Sequence, residues 1–109
     1  MKQIKTEKEF NAEIKANKFV LLDFFTTWCP PCKQVAKLFD KISEKYESKV
    51  VFLKFDGDDE TKESEDDFTA KHRVDAFPTI LLFQDGVEKH RIIGCNERAI
   101  VNALNSSLV

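Results

Sequence analysis

The sequence has few of the residues that staple or interrupt a chain: three cysteines, three glycines and three prolines in 109 residues. Three cysteines are too few for a disulfide-stapled secreted scaffold. The chain shows no Pro/Gly linker, internal repeat or low-complexity stretch. Neither sign of charge dominates, with 17 Lys plus Arg against 19 Asp plus Glu, so the composition gives no electrostatic footprint for nucleic acid or an anionic membrane. We therefore expect a soluble globular protein.

Long apolar runs are also absent. Residues 1–7 contain no apolar core of a signal peptide, and no window approaches the roughly 20 apolar residues of a membrane span. We therefore expect a cytoplasmic protein, in a compartment where thiols are mostly reduced and closely spaced cysteines are catalytic or metal-binding. The length predicts one domain over residues 1–109, which buries roughly 65% of its unfolded surface.

Four apolar segments predict strands. Residues 19–25 and 50–55 form near-continuous apolar runs, which are typical of strands covered on both faces. Residues 79–83 and 87–93 flank Asp85-Gly86, a strong hairpin signal.

Helical signals lie between and after these strands. Thr6 and Glu9 form a capping box, Asn96 is the N-cap of the last helix, and the helix after Cys32 is expected to end near Ser48. The acidic residues 60–72 are expected to be a loop and a helix. The order β/α/β/α/β/α/β/β/α predicts an α/β fold with a mixed sheet of about five strands flanked by four helices. The apolar helix positions are Phe10, Ile14, Val35, Leu38, Phe39, Ile42, Tyr46, Ile100, Ala103 and Leu104.

Two of the cysteines stand at the predicted start of a helix, in Trp28-Cys29-Pro30-Pro31-Cys32. Cys29 takes the N-cap, the two prolines take the first helical positions, where a missing N–H costs least, and Cys32 lies about one turn in. The two sulfurs are then close enough to bridge. A helix N-terminus lowers the pKa of a thiol, so we predict Cys29 as the nucleophile and Cys32 as the resolving cysteine.

A metal half-site is the alternative to a reactive dithiol. Zinc needs four ligands, and the chain offers only Cys95, His72 and His90 as further candidates, without a second close spacing. An iron–sulfur cluster shared between two chains is another form of this alternative. We favour the dithiol, predict no metal ligands, and interpret His72 and His90 as ordinary surface residues.

Two apolar strands each carry one ionisable residue, Asp23 and Lys54. An isolated buried charge is costly, so the two residues are predicted to be neighbours on adjacent strands. A purely structural ion pair, or exposure at a strand edge, is the alternative. Because Asp23 lies on the strand that leads to the dithiol, we predict that it takes the proton from Cys32, with Lys54 opposing the rise in its pKa.

These residues resemble the thioredoxin family over essentially the whole chain. The resemblance implies the thioredoxin fold, a cis peptide bond before Pro78 and reduction of protein disulfides. It also implies re-reduction by an NADPH-dependent flavoprotein reductase. The matching positions are Asp23-Phe24, Trp28-Cys29-x-Pro31-Cys32-Lys33, Lys54, Asp58, Phe77-Pro78-Thr79, Asp85-Gly86 and Gly94.

The resemblance also implies a substrate groove around the dithiol. Trp28 would shield the dithiol, the backbone at Phe77-Pro78 would pair with an extended substrate segment, and the turn at Gly94-Cys95 would complete the groove. The predicted substrate-binding residues are Trp28, Pro30, Pro31, Phe77, Pro78, Gly94 and Cys95.

Pro30 and Lys37 depart from the family pattern. Pro30 stands where thioredoxins usually have Gly, and we predict a reduction potential shifted from the roughly −270 mV of thioredoxins. Lys37 replaces a helix-kinking proline, so the helix is predicted to run straighter. Lys33, Lys37, Lys41 and Lys45 then form a stripe that is either a solvated face or a surface that steers acidic partners to Cys29.

The segment 56–67 is a third departure: it contains eight acidic residues and one lysine, and relative to the family pattern it holds about five extra residues before Pro78. Its net charge of −7 leaves +5 for the rest of the chain. The segment is either a solvated loop or an element that selects partners.

Cys95 is the third cysteine, either a free thiol open to glutathionylation and intermolecular disulfide formation or a small apolar filler. We expect a monomer, with a dimer through Cys95 as the alternative.

Together these observations predict a dithiol–disulfide oxidoreductase with no bound cofactor and a redox-active Cys29–Cys32 disulfide. Its partners are predicted to be disulfide-containing proteins and, as electron donor, a reductase or a low-molecular-weight thiol. A non-catalytic binding or chaperone module and a metal- or cluster-binding dimer are the competing interpretations.

Overall fold

The sheet has five strands in the order β1-β3-β2-β4-β5, in a computed structural model that describes residues 1–58 and 67–108. β1 and β2 run parallel to β3, whereas β4 runs antiparallel to β2 and β5 antiparallel to β4. The predicted mixed sheet is confirmed. Its strands are β1 (Lys2–Ile4), β2 (Phe19–Phe25), β3 (Val50–Asp56), β4 (Thr79–Gln84) and β5 (Val87–Ile93).

Four helices accompany the sheet: α1 (Glu7–Ala16), α2 (Pro30–Tyr46), α3 (Phe68–Lys71) and α4 (Glu97–Ser107). Thr6, Cys29 and Asn96 are N-caps of α1, α2 and α4, as predicted. α2 ends before the predicted Ser48, because Tyr46 is the last residue of its apolar stripe and the next three residues are exposed. Residues 59–66, most of the predicted acidic loop, lie outside the described residues.

The two faces of the sheet carry separate cores. Leu21 of β2 packs with the apolar stripes of α2 and α4 on one face. Val20, Leu22 and Phe24 point to the opposite face and pack with residues of α1 and α3, because successive side chains of a strand alternate between faces. Asp23 is in phase with Leu21, so the strand directs it toward the α2 face.

The interpretation of His72 as an ordinary surface residue is wrong. Its ring is half-buried and lies 4.6–5.9 Å, centroid to centroid, from the rings of four phenylalanines. Burial lowers the pKa of His72, so the neutral imidazole packs here as an aromatic ring. The phenylalanines are Phe10, Phe24, Phe68 and Phe83.

His90 is partly exposed on β5. None of the helices in the described part of the chain is long and apolar enough to cross a membrane.

Candidate active site

The dithiol occupies the first turn of α2. Cys29 has an extended backbone at the N-cap, and its Sγ accepts the N–H of Cys32 at 3.2 Å. Pro30 and Pro31 hold the first two helical positions, for which their fixed φ is already suited. Cys29 and Cys32 form a disulfide, with Cα atoms 5.2 Å apart. The predicted placement of all four residues is therefore confirmed.

Trp28 directly precedes Cys29 and lies at the surface. Its ring is 66% exposed, whereas Cys29 and Cys32 are each only 3% exposed. The indole Nε1 donates a hydrogen bond to Asp58 Oδ2 at 2.8 Å, which fixes the orientation of a large exposed side chain. Asp58 matches a position of the family pattern, and nothing in the sequence indicates that it holds Trp28 across 30 residues.

The loop before β4 forms a wall beside Cys29. The Phe77–Pro78 peptide bond is cis, as the resemblance implied, and the Phe77 carbonyl oxygen lies 3.5 Å from Cys29 Sγ. The Gly94 N–H donates to the Pro78 carbonyl oxygen at 2.8 Å. Gly94 has φ +88°, a left-handed conformation that favours glycine. Phe77, Pro78 and Gly94 are thus brought together beside Cys29.

The backbone at Gly57 lies so close to the Phe77 ring that this position requires glycine. A Cβ atom at Gly57 would lie 2.6 Å from two ring carbons of Phe77. Its own N–H donates to the Phe25 carbonyl oxygen at 2.8 Å. The sequence analysis missed this residue, because a glycine after a strand looks the same whether it forms a turn or admits a neighbouring ring.

Cys95 follows Gly94 but turns toward the core. Its side chain is half-buried and packs against the cluster formed by α2, α4 and the sheet. Burial raises the pKa of the Cys95 thiol, and the carboxylates of Glu97 and Asp23 raise it further. Of the two interpretations of Cys95, this packing favours a small apolar side chain that fills space at the edge of the core.

Asp23 lies beneath the dithiol and opposite Lys54. The two residues are register partners on β2 and β3, which confirms that they are neighbours. Asp23 is 2% exposed, so exposure at a strand edge is ruled out. Burial raises the pKa of Asp23 to about 7, and the charge of Lys54 opposes this rise.

Lys54 does not touch the Asp23 carboxylate. Its Nζ lies over the Phe25 ring, 5.5 Å from the centroid, and no ion pair within 4.0 Å joins it to Asp23 in the described residues. A direct ion pair is therefore not what holds Asp23 in place, and Lys54 acts on it through the field of its charge.

A cavity of about 240 Å³ connects these groups. Asp23, Cys32, Lys54 and Thr26 all contribute to its wall. The carboxyl group and the resolving sulfur therefore share one space, which is the arrangement that proton transfer between them requires. Thr26 is a second residue that the sequence analysis missed, because its position after a strand gives no sign that it is buried.

No metal-ligand cluster is present in residues 1–58 and 67–108, where no three His, Cys, Asp or Glu side chains are grouped suitably. The chemistry available to the described site is that of the cysteine pair and the buried carboxyl group.

The family model for thioredoxin matches residues 1–106 of the chain. The chain belongs to the thioredoxin family. Thioredoxin-1 of Saccharomyces cerevisiae is 40% identical over 102 residues, which cover 94% of this chain and 93% of the relative. The Cys29–Cys32 pair is accordingly the redox-active centre of a thioredoxin-type protein-disulfide oxidoreductase.

Solved thioredoxin structures have the same fold. The oxidised form of mitochondrial thioredoxin 3 from Saccharomyces cerevisiae superimposes with a TM-score of 0.85 at 33% identity, covering 97% of this chain and 94% of that one. Thioredoxin from Fasciola hepatica gives 0.85 at 30% identity, covering 97% and 98%. The predicted thioredoxin fold is confirmed.

Proposed function

We propose that this thioredoxin reduces disulfides of other proteins and is itself reduced, through an NADPH-dependent flavoprotein reductase, as part of cellular electron transport and redox homeostasis. One observation carries the proposal: Cys29 Sγ lies at the N-cap of α2 and 3.5 Å from the Phe77 carbonyl oxygen. A substrate segment that runs along the backbone beside Pro78 would present its disulfide to this sulfur.

The first chemical step is attack by Cys29. The Cys32 N–H already points at Cys29 Sγ, at 3.2 Å, and free N–H groups at a helix start stabilise a thiolate. The thiolate attacks a substrate sulfur, forms a mixed disulfide and releases the other substrate cysteine as a thiolate.

The second step is resolution by Cys32. Asp23 accepts the Cys32 proton, and Cys32 Sγ then attacks Cys29 Sγ and releases the second substrate cysteine. A pKa of about 7 for Asp23 suits a base that must take and return protons near neutral pH. Lys54 limits the rise in that pKa. The substrate gains two electrons, and two electrons from NADPH restore the dithiol through the reductase.

The substrate contacts are assigned to both walls of the groove. Trp28, Pro30 and Pro31 are exposed on one side, and Phe77, Pro78 and Gly94 form the other. Cys95 contributes its backbone at the turn, since its side chain packs inward.

The electron donor is tested by measuring insulin-disulfide reduction with NADPH and thioredoxin reductase, and in parallel with glutathione. We expect turnover with the reductase and little with glutathione. Cys29→Ser is the matched control because it removes only the attacking sulfur. Turnover with glutathione but not with the reductase would identify a low-molecular-weight thiol as the electron donor. No turnover with either donor would favour a binding module.

We propose the cytoplasm as the compartment, because transfer from NADPH to a dithiol needs surroundings that keep thiols reduced. Fractionation of source cells with an antibody against the protein tests this, and recovery from an organelle or the medium would contradict it.

We propose a monomer as the working state. Half-burial of the Cys95 thiol opposes an intermolecular disulfide, since the reactive species is an accessible thiolate. Light scattering of the oxidised protein, with and without dithiothreitol, is expected to give one monomeric mass. A dimer that dissociates only on reduction would contradict this state, and Cys95→Ala would identify the cysteine responsible.

A further inference from the structure

Thr26 carries a buried hydroxyl that the mechanism above does not use. It lies three residues after Asp23 and three before Cys29, and its side chain is 2% exposed. Within the described part of the chain, Thr26 Oγ1 has no hydrogen-bond partner, and neither has Asp23 Oδ1. Buried polar atoms are paired, with protein or with water, in the great majority of cases. Both residues line one cavity, which is where a shared water partner would lie.

The cavity beneath the dithiol supplies the space for that partner. Thr26, Asp23 and Cys32 all line it, and its volume is about 240 Å³. A single water molecule needs only about 10–15 Å³ measured in the same way, provided that polar groups surround it. The cavity is therefore large enough for a water molecule, and the residues that carry the two unpaired oxygens and the resolving sulfur all line it.

We propose that Thr26 is a positioning residue for the resolution step: its hydroxyl holds the water molecule that carries the proton from Cys32 to Asp23. The inference rests on the proposed function, because that function assigns Asp23 as the base. A threonine hydroxyl both donates and accepts, so it remains bonded to the water before and after the proton moves.

The proton and the bonds balance as follows. The Cys32 thiol gives its proton to the water, which passes one of its own to the Asp23 carboxylate. Cys32 Sγ attacks Cys29 Sγ, the bond between Cys29 and the substrate sulfur breaks, and the substrate leaves as a thiolate. The two cysteines are oxidised to the disulfide while the substrate is reduced, and Thr26 is unchanged.

Other charged groups line the same cavity and contribute to the pH dependence of every variant. Lys54 contributes from β3, and Lys33 from the exposed side of α2. Met1 also lines the cavity, beside the start of β1. These groups stay unchanged when Thr26 is varied, so a difference between variants at this position reports on the hydroxyl.

The test compares Thr26→Val, which replaces the hydroxyl by a methyl group, with Thr26→Ser, which keeps it. Reduced full-length protein is mixed with excess peptide disulfide and quenched with acid at intervals. Peptide mapping then gives the lifetime of the Cys29 mixed disulfide from pH 6 to pH 9. Circular dichroism checks that both variants are folded, and carbon NMR follows the titration of the Asp23 carboxyl.

We expect Thr26→Val to lengthen the mixed-disulfide lifetime about fivefold at pH 6 to 7, the effect of losing one hydrogen bond. The effect should shrink toward pH 9, where hydroxide competes with Asp23 as the base. The rate of the first attack should stay within about twofold, because Cys29 needs no base for it. Thr26→Ser should restore the wild-type lifetime and the wild-type Asp23 titration.

Two results would overturn the assignment. Equal lifetimes for Thr26→Val and wild type would show that the hydroxyl has no part in resolution. A lifetime for Thr26→Ser as long as that of Thr26→Val would show that the defect comes from packing. Asp23→Asn distinguishes the underlying function: if it leaves the lifetime unchanged, Asp23 is not the base, whereas absence of any mixed disulfide in wild type would refute disulfide exchange itself.

Discussion

Asp23 is a carboxyl group in an apolar strand, and the fold stabilises its protonated form. Its pKa is about 7 because burial outweighs the opposing charge of Lys54. The native state therefore binds a proton that the unfolded chain, with an ordinary pKa of 3.8, has already released. Linkage then requires the free energy of unfolding to fall as pH rises between these two values.

Asp23→Asn is expected to remove this pH dependence. At pH 5 the variant should be about as stable as wild type, and at pH 8 more stable by up to about 3 kcal/mol, since wild type loses about 1.4 kcal/mol per pH unit between pH 5 and the Asp23 pKa of about 7. Urea unfolding at the two pH values checks the prediction. A constant difference between the proteins at both pH values would contradict the buried titration.

The same variant should exchange disulfides more slowly near neutral pH, because the base is lost. A substitution that stabilises the fold but slows the reaction indicates that the residue is retained for its chemical role.

At the scale of the elements, helix starts were predictable because caps are local. Thr6, Cys29 and Asn96 each accept an N–H from the residue three positions later, and that spacing is visible in the sequence. Asp23 and Lys54 could be predicted as neighbours because an isolated charge in a buried strand is costly unless an opposite charge is near. The Trp28–Asp58 contact could not be predicted, since it depends on where β3 ends and α2 begins in space.

The burial of His72 is a second feature that the sequence did not predict. Four phenylalanines from α1, α3, β2 and β4 surround it. Phe68 lies one helical turn before His72, but no local pattern brings in the other three rings. Burial of a residue whose neighbours are distant in sequence becomes predictable only once the sheet order is known.

The first turn of α2 has proline at both positions between the cysteines. A glycine at position 30 would restore an N–H at the helix start, and such groups favour the thiolate and with it the reduced form. Pro30→Gly is therefore expected to make the reduction potential less negative by on the order of 10–30 mV, where 30 mV corresponds to about tenfold in the equilibrium constant.

Equilibration of Pro30→Gly and wild type with glutathione redox buffers, followed by Trp28 fluorescence, measures the difference. Pro31 remains in both proteins, so the helix start is matched. A shift to a more negative potential, or none, would contradict the prediction.

Further along α2, Lys33, Lys37, Lys41 and Lys45 are all exposed. Lys41 forms a wide ion pair of 3.8 Å with Glu97 across an exposed surface, and such pairs contribute little. We expect the stripe to be a solvated face. Lys37→Gln with Lys45→Gln should then change kcat/KM for the reductase less than about twofold at physiological salt, where surface charges are screened beyond about 8 Å.

Lys8→Gln with Lys15→Gln, two exposed positions on α1, removes the same charge from the opposite face and serves as the control. A large loss at low ionic strength that is confined to the α2 variant would instead establish steering of acidic partners.

At the scale of the whole molecule, the small net charge conceals a polarised distribution. Residues 56–67 carry −7 and the rest of the chain +5. Changing Asp59, Glu60, Glu63, Glu65 and Asp66 to their amides would turn the net charge from −2 to +3. We expect reduction of insulin with dithiothreitol as donor to be unchanged, because the dithiol and Asp23 lie in other segments and the five changes leave Gly57 and Asp58, which contact Phe77 and Trp28, in place.

Reductase kinetics decide between the two interpretations of this acidic segment. For a solvated loop, kcat/KM for the reductase should stay within about twofold in the amide variant, as for other surface charges. A larger change that disappears at high salt would show that the segment selects the reductase.

Gly57 lies where the acidic segment 56–67 meets the active-site wall at Phe77. Its α-carbon lies against the Phe77 ring, with no room for a methyl group between them. Phe77 in turn supplies the carbonyl oxygen beside Cys29. The start of the acidic segment and the wall that we propose binds substrate are thus in direct contact. Lengthening or recharging the segment beyond Gly57 leaves that contact in place, whereas any side chain at position 57 would displace the wall. The acidic segment is therefore constrained at Gly57 by this contact and at Asp58 by the hydrogen bond from Trp28.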